Sequence, residues 1–552
     1  MILLIILIYF CEYSTPSKIE LFSSSDSIGR LANVNSRLNN KIQTYLEELN
    51  QQISILDNFL STYYDEYNLT ESQADTYISN PINAFTLIKR TSHEWLKIHD
   101  SIYNETSENM FTEISELLSG LPNSGDIEGA ANGLFLLQET YNLDIDLFAK
   151  GVISINGEIK GEMENNAALN GSDMSLMGKL AFNKQVYDRA YEWLISSLKK
   201  AIEDNDSVET ISQIKKDIKT VIKYHDQILE TRGSPRGSTW RTYVNPLEPK
   251  LASKNKYKNA LKANNGSMSY KMEYKLLTEL KDYEITDQFN ALCRGEDIRD
   301  PIDDKDLSCS YLHFNDPYLK LGPFKLENLN SYPFIGVYHD FLYDNEMESF
   351  KSHSRPLLER SQHSGKKNSN EVSFKRTSKQ TWLVDAETQN NNTVNTLANK
   401  ISNRISYATK LAVKSKKGGE DYQIANYGMG GVYTPHMDSF GANSNKLDGD
   451  RLATVMAYLS DVEIGGLTVF PMIGIAIPPV KGTMVIWFNT DAIENQNPLT
   501  LHGGCPVISG SKWITNKWVK TYWQWKKFPC YSGHEEFIKK SRPFDNNYFR
   551  GS

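Results

Sequence analysis

The sequence predicts an α+β multidomain chain, all-α through its N-terminal half and an antiparallel β sandwich or barrel in its C-terminal half. Three observations carry this. Apolar residues recur at steps of three and four as far as Glu230, the period of a helix face. After Tyr332 the pattern changes to short runs rich in Val, Ile, Thr and aromatics, punctuated by Gly, Pro, Asn and Asp. A length of 552 residues is too great for one core and implies two to four domains.

In chain order, Met1–Phe10 is almost wholly apolar and is followed by Glu12, Ser14, Thr15 and Pro16. The run is too short to span a bilayer but suits a signal-peptide core, assigned to residues 1–15. Residues 16–150 read as helical. Leu31, Val34, Leu38, Ile42, Tyr45, Leu49, Ile53, Leu56 and Phe59 form one stripe, either a coiled-coil seam for a second chain or a packing face within this one. Helices are also expected over Asn83–Trp95 and Asp126–Ala149. Residues 151–252 hold a further helical unit, Asn170–Glu230, whose small residues and aromatics are spaced like a tetratricopeptide (TPR-like) helix pair. Its Tyr187 and Tyr191 either bury in a helical hairpin or line a groove that docks proline-rich chains. Residues 253–330 are polar and read as a connector. A domain over 331–528 is expected to place strands at Tyr422–Tyr427, Leu452–Leu459, Leu467–Phe470, Gly482–Phe488 and Lys512–Val519, with a helix at Asn392–Lys410. Residues 529–552 form a charged tail.

A hydrophobic fraction of 39% and a net charge of -8 describe a soluble globular protein without a polyanion-binding signature, which excludes nucleic acid as partner. No later stretch is apolar enough for a membrane span. Apart from Cys11 in the leader, the cysteines are Cys293, Cys309, Cys505 and Cys530. Four allow three pairings, and locality favours Cys293–Cys309 and Cys505–Cys530. N-x-S/T sequons begin at Asn68, Asn104, Asn170, Asn205, Asn265 and Asn391. Leader, even cysteines and sequons together point to folding in the endoplasmic reticulum lumen.

The chemistry is expected in Val432-Tyr-Thr-Pro-His436-Met-Asp438. Residues two apart on a strand share a face, so His436 and Asp438 can address one ion. With a second imidazole they make the facial triad of non-haem Fe(II) oxygenases, leaving three positions for a chelating co-substrate and O2. With 10 His and 68 acidic residues, about one H-x-[DE] is expected by chance, and another stands at His534-Glu-Glu536 in the charged tail. His502, in Leu499-Thr-Leu-His502-Gly-Gly-Cys505, is the third-ligand candidate. Lys512, beside Trp513 and Ile514, either snorkels to water or is buried against an anion such as the far carboxylate of 2-oxoglutarate.

These residues sit in segments that resemble the alpha subunits of collagen prolyl 4-hydroxylases. They include Tyr422-Gln-Ile-Ala-Asn-Tyr427-Gly-Met-Gly-Gly431, His436-Met-Asp438, Arg451-Leu-Ala-Thr454 with Tyr458-Leu-Ser-Asp461, Gly465-Gly-Leu-Thr468-Val-Phe-Pro471, His502-Gly-Gly-Cys505, and Lys512-Trp-Ile-Thr-Asn-Lys-Trp518. Upstream, Asn80-Pro-Ile-Asn-Ala-Phe85 and Leu137-Gln-Glu-Thr-Tyr-Asn-Leu143 continue the likeness, so nearly the whole mature chain is covered in order.

The resemblance implies a double-stranded β-helix (jelly-roll) catalytic domain with Fe(II) on His436, Asp438 and His502, and 2-oxoglutarate on Lys512, with Tyr427, Tyr458 and Thr468 nearby. It implies a helical dimerisation region, a peptide-substrate-binding domain with Tyr187, the two local disulfides, ascorbate as iron reductant, and an α2β2 tetramer with protein disulfide isomerase. Retention by that partner would suit a chain whose last residues, Tyr548–Ser552, carry no KDEL-type signal. The implied activity is that of a procollagen-proline 4-dioxygenase acting on X-Pro-Gly sequences. Alternatives are an impaired paralogue that binds proline-rich chains, or a hydroxylase of another secreted protein. One departure stands out: where the family has a histidine eight residues after the lysine, assisting the inner carboxylate of the co-substrate, this chain has Lys520.

Overall fold

The computed structural model describes residues 22–48, 71–102, 117–118, 120–162, 168–232, 282–299, 307–331, 333–361, 376–385, 393–414, 418–441, 449–490 and 496–524. The leader, the stripe beyond Glu48, Asn68, Asn104, Asn265, Asn391, Cys530 and the charged tail lie outside them.

Four helices open the described chain: α1 (Ser25–Glu48), α2 (Glu71–Ile78), α3 (Pro81–Ile102) and α4 (Ser124–Tyr141). Ile28, Leu31 and Ala32 of α1 bury with Ala74 and Ile78 of α2 and with Ile82, Phe85 and Ile88 of α3. Leu31 and Leu38 of the apolar stripe are therefore buried within this chain. A capping box starts α4: the Asn123 side chain accepts from the Gly125 amide at 2.7 Å, and the Asp126 carboxylate accepts from the Asn123 amide at 3.0 Å.

A hairpin of β1 (Val152–Ile155) and β2 (Glu158–Glu162) leads to α5 (Gly171–Asn183), α6 (Tyr187–Glu203) and α7 (Val208–Arg232). Gly178 lets α5 and α6 approach, because a Cβ there would lie 2.6 Å from Leu194 Cγ. Tyr187 stacks on Tyr224 at 6.2 Å and meets Phe182 edge-on at 5.4 Å, while Tyr191 packs partly buried in the same cluster. Of the two described sequons, Asn170 caps α5 through its carbonyl oxygen and Asn205 is exposed in a left-handed conformation, φ 56°.

The second half contains α8 (Asp282–Cys293), β3 (Ser308–Leu312), β4 (Phe324–Ser331), β5 (Phe334–His339), α9 (Asp344–Ser354), β6 (Glu359–Arg360), β7 (Lys379–Leu383), α10 (Thr393–Thr409), β8 (Tyr422–Tyr427), β9 (Tyr433–His436), β10 (Arg451–Tyr458), β11 (Ile464–Gly465), β12 (Thr468–Phe470), β13 (Ile475–Ile477), β14 (Met484–Phe488), β15 (His502–Gly504), β16 (Val507–Ser509) and β17 (Lys512–Lys520). A nine-stranded antiparallel sheet runs β3-β4-β5-β14-β10-β17-β8-β7-β6, and a four-stranded sheet runs β13-β12-β15-β9. Met456, Tyr458, Val485, Trp487 and Ile514 of the large sheet share a core with Phe470, Ile475 and Ile477 of the small one. The other face of the large sheet buries Ala453, Val455 and Ala457 against Phe350 of α9 and Ala398, Ile401 and Ile405 of α10. From Ala453 onward, alternation along β10 thus sends odd positions to the helices and even positions between the sheets.

Two expectations change. Residues 308–331, read as connector, supply β3 and β4 at the edge of the large sheet. The disulfide expected between Cys293 and Cys309 is instead Cys293–Cys505, so the pairing of Cys505 with Cys530 falls as well. Packing of α8 on the small sheet brings Cys293 within 5.6 Å (Cα to Cα) of Cys505, a span a disulfide bridges. Cys309, nearer in sequence, is free and exposed on the edge strand β3. No helix among the described residues is long and apolar enough to cross a membrane.

Candidate metal centre and co-substrate pocket

Pairing of β9 with β15 sets His436 directly opposite His502, and Asp438 follows just beyond the end of β9. One ligand atom from each of the three lies within 4.8 Å of the others. His436 Nε2 is 3.5 Å from Asp438 Oδ1, and His502 Nε2 is 3.6 Å from Asp438 Oδ2. Each imidazole donates its Nδ1–H to a backbone carbonyl, His436 to Thr434 at 3.0 Å and His502 to Thr500 at 2.9 Å. That tautomer turns both Nε2 lone pairs toward the shared centre.

Electrostatics favour the ligand forms. Burial pushes the His502 pKa down to about 4, helped by the His436 charge and opposed by Asp438, so the imidazole is neutral near pH 7. Burial raises the Asp438 pKa, but His502, His436 and Arg451 outweigh it and hold the carboxyl well below its usual range. Asp438 Oδ2 accepts from Thr454 Oγ1 at 2.6 Å and from Trp518 Nε1 at 3.0 Å. Thr454 and Trp518 are register partners on β10 and β17, and Asn489 donates to Thr454 Oγ1 at 2.9 Å. Tyr433 stacks on the His436 ring, centroids 3.5 Å apart, under the Arg376 guanidinium.

Lys512 starts β17 and is 2% exposed. Burial lowers its pKa from 10.5 to about 7, and no carboxylate among the described residues pairs with it. Its ammonium faces the rings of Tyr427 at 5.4 Å and Tyr458 at 5.9 Å. Tyr458 donates to Thr468 Oγ1 at 2.7 Å. A Cβ on Gly504 would come within 3.3 Å of the ammonium, and one on Gly466 within 3.4 Å of Lys512 Cδ. His502 and Gly504 are two residues apart on β15, so the triad and the Lys512 ammonium flank the same short strand. A three-ligand cluster and a buried, carboxylate-free cation beside the same strand fit Fe(II) and 2-oxoglutarate.

Of the sequence-predicted residues, the structure brings together His436, Asp438 and His502, and separately Lys512, Tyr427, Tyr458 and Thr468. Lys520 lies outside the Lys512 group. It ends β17 opposite Arg451, two residues beyond Trp518, whose indole donates to Asp438. Thr454, Trp518 and Tyr433 carry no ligand spacing, so sequence reasoning gave them no part in the site.

Known proteins resemble the chain accordingly. Residues 422–520 match the model of the 2OG-Fe(II) oxygenase superfamily, and residues 24–155 match that of the prolyl 4-hydroxylase alpha-subunit N-terminal region. Fold and site thus define a 2-oxoglutarate- and Fe(II)-dependent oxygenase. The chain is 32% identical to prolyl 4-hydroxylase subunit alpha-2 of Gallus gallus over 80% of this chain and 82% of that protein. It is 30% identical to subunit alpha-1 of Homo sapiens over 82% and 84%, and 31% identical to subunit alpha-2 of Caenorhabditis elegans over 85% and 86%. Among solved structures, a viral collagen prolyl hydroxylase from Paramecium Bursaria Chlorella virus-1 covers 34% of this chain and 95% of its own at 28% identity, with a TM-score of 0.27. The chain belongs to the prolyl 4-hydroxylase alpha-subunit family.

Proposed function

We propose that this chain is the catalytic alpha subunit of an enzyme that hydroxylates proline at C4 in X-Pro-Gly sequences of collagen-like chains, working in the endoplasmic reticulum lumen with ascorbate and a protein disulfide isomerase subunit. The observation that carries the reading is the buried Lys512 ammonium, free of any described carboxylate partner, beside the strand that carries His502 of the His436–Asp438–His502 triad. Support for the substrate class comes from the family and from the aromatic cluster Phe182–Tyr187–Tyr224, whose Tyr224 is 45% exposed on the TPR-like helices. The two facing sheets are read as a double-stranded β-helix.

His436, Asp438 and His502 would hold the metal. Thr454 and Trp518 fix Asp438 by occupying Oδ2 with two hydrogen bonds. Lys512 pairs with the distal carboxylate of 2-oxoglutarate, while Tyr427 and Tyr458 exclude water around that contact. Bound iron supplies the redox chemistry that couples decarboxylation of 2-oxoglutarate to hydroxylation of proline.

Mass spectrometry of a Pro-Pro-Gly repeat incubated with the reconstituted complex tests this. Hydroxyproline that depends on 2-oxoglutarate is expected. Succinate release without hydroxylation of that peptide, but with hydroxylation of a non-collagen proline peptide, would move the substrate elsewhere.

A further inference from the structure

We propose that the N-terminal helical region is a positioning part of the co-substrate pocket, with Ser25 holding the strand that carries Lys512. This rests on the assignment of Lys512 to the distal carboxylate. Between His502 and Lys512 the chain is gripped at successive points by residues more than 300 positions away in sequence. Tyr141, the last residue of α4, donates to the Pro506 carbonyl at 2.6 Å. The Gly510 amide donates to the Ser79 carbonyl, between α2 and α3, at 3.2 Å. Ser25 Oγ, at the start of α1, shares a hydrogen bond with Ser511 Oγ at 2.6 Å.

The neighbouring strand is held by the same turn. Asn426 on β8 is fully buried, and its carbonyl oxygen accepts from Ser24 Oγ at 2.5 Å, from Ser25 Oγ at 3.2 Å and from the Asp26 amide at 3.0 Å. Its amide nitrogen donates to Ser25 Oγ at 3.0 Å, to Ser511 Oγ at 3.3 Å and to the Lys512 carbonyl at 3.5 Å. The Tyr427 carbonyl stands 3.1 Å from Ser25 Oγ, an alternative acceptor for the single hydroxyl proton. Tyr427 is the register partner of Lys512 and one of the two rings facing its ammonium. Gly428 then passes so close to Phe22 and Ser24 that a Cβ would lie 2.6 Å from the Phe22 carbonyl oxygen.

The helices therefore clamp Lys512 and Tyr427 from behind, whereas His436 and His502 donate to the Thr434 and Thr500 carbonyls and Asp438 accepts from Thr454 and Trp518. A fault in the clamp is expected to reach 2-oxoglutarate before it reaches iron. A buried lysine a fraction of an ångström out of place loses alignment with a carboxylate at the far end of a chelated molecule.

The test uses full-length chain, assembled as the active complex, carrying Ser25→Ala, Tyr141→Phe or Lys512→Met, with 2-oxoglutarate KM, kcat and Fe(II) affinity measured for each. Ser25→Ala and Tyr141→Phe each delete one hydroxyl and are expected to raise the 2-oxoglutarate KM about threefold to tenfold, the scale of one lost buried hydrogen bond. Change in kcat stays below about twofold and Fe(II) affinity is retained. If Lys512→Met raises KM but neither hydroxyl deletion does, the clamp is refuted while the Lys512 assignment stands. Loss of KM, kcat and iron affinity together in both hydroxyl variants would also refute it, since that is general loosening. If Lys512→Met leaves KM unaltered, the assignment itself falls and the clamp with it.

Discussion

Lys512→Met removes an interior charge while keeping most of the side chain's volume, so it should move stability and co-substrate binding in opposite directions. Burial lowers the Lys512 pKa from 10.5 to about 7, and at about 1.4 kcal/mol per pH unit the charged form is disfavoured in the fold by an amount on the order of 5 kcal/mol. A lysine whose folded pKa lies below its unfolded value destabilises the fold fully at and below pH 7, less as pH rises toward 10.5, and not at all above it. Free of 2-oxoglutarate, the variant is expected to be more stable at pH 7 by about 2–5 kcal/mol, the gain shrinking toward pH 9. Binding goes the other way, because the distal carboxylate is left buried and unpaired at about 3–5 kcal/mol, a rise in 2-oxoglutarate KM on the order of a hundredfold or more. In the parent chain the KM itself should climb above about pH 7, where the empty pocket holds neutral lysine. Thermal unfolding with and without 2-oxoglutarate, from pH 6.5 to 9, reads all of this. A variant that melts below the parent without ligand, or whose KM stays within about threefold, would refute the reasoning.

Thr454→Val should weaken Fe(II) binding about tenfold by freeing Asp438 Oδ2 to turn, measured by metal titration of the apo chain. Peptide mapping under non-reducing conditions should recover Cys293 linked to Cys505, and Cys293→Ala should lower stability by about 2–5 kcal/mol in denaturant titration.

Much of the catalytic half is legible in the sequence because its strands are bounded by turn residues and enriched in β-branched and aromatic side chains. β8 falls at Tyr422–Tyr427 as expected, and β10, β14, β17 and α10 fall within one or two residues of expectation. The His–x–Asp spacing and the isolated His502 likewise mark the triad. β3 was hidden because an edge strand has no buried face to pattern it: Ser308, Cys309, Ser310 and Tyr311 are all exposed. The cysteine pairing was hidden for a different reason, since closeness along the chain says nothing about α8 folding back on β15 across 212 residues. Thr454 and Trp518 act only through register, a property that exists once β10 and β17 are paired.

Where the catalytic unit begins follows from the edge of the large sheet. A fragment cut at residue 331, where the strand-rich pattern starts, would discard β3 and β4, bare the backbone of β5 to solution and leave Cys505 without its mate. Such a piece invites strand-to-strand association and stray thiol chemistry during expression. A soluble catalytic piece has to start ahead of Asp282, and one that keeps Lys512 seated has to bring the first helices too.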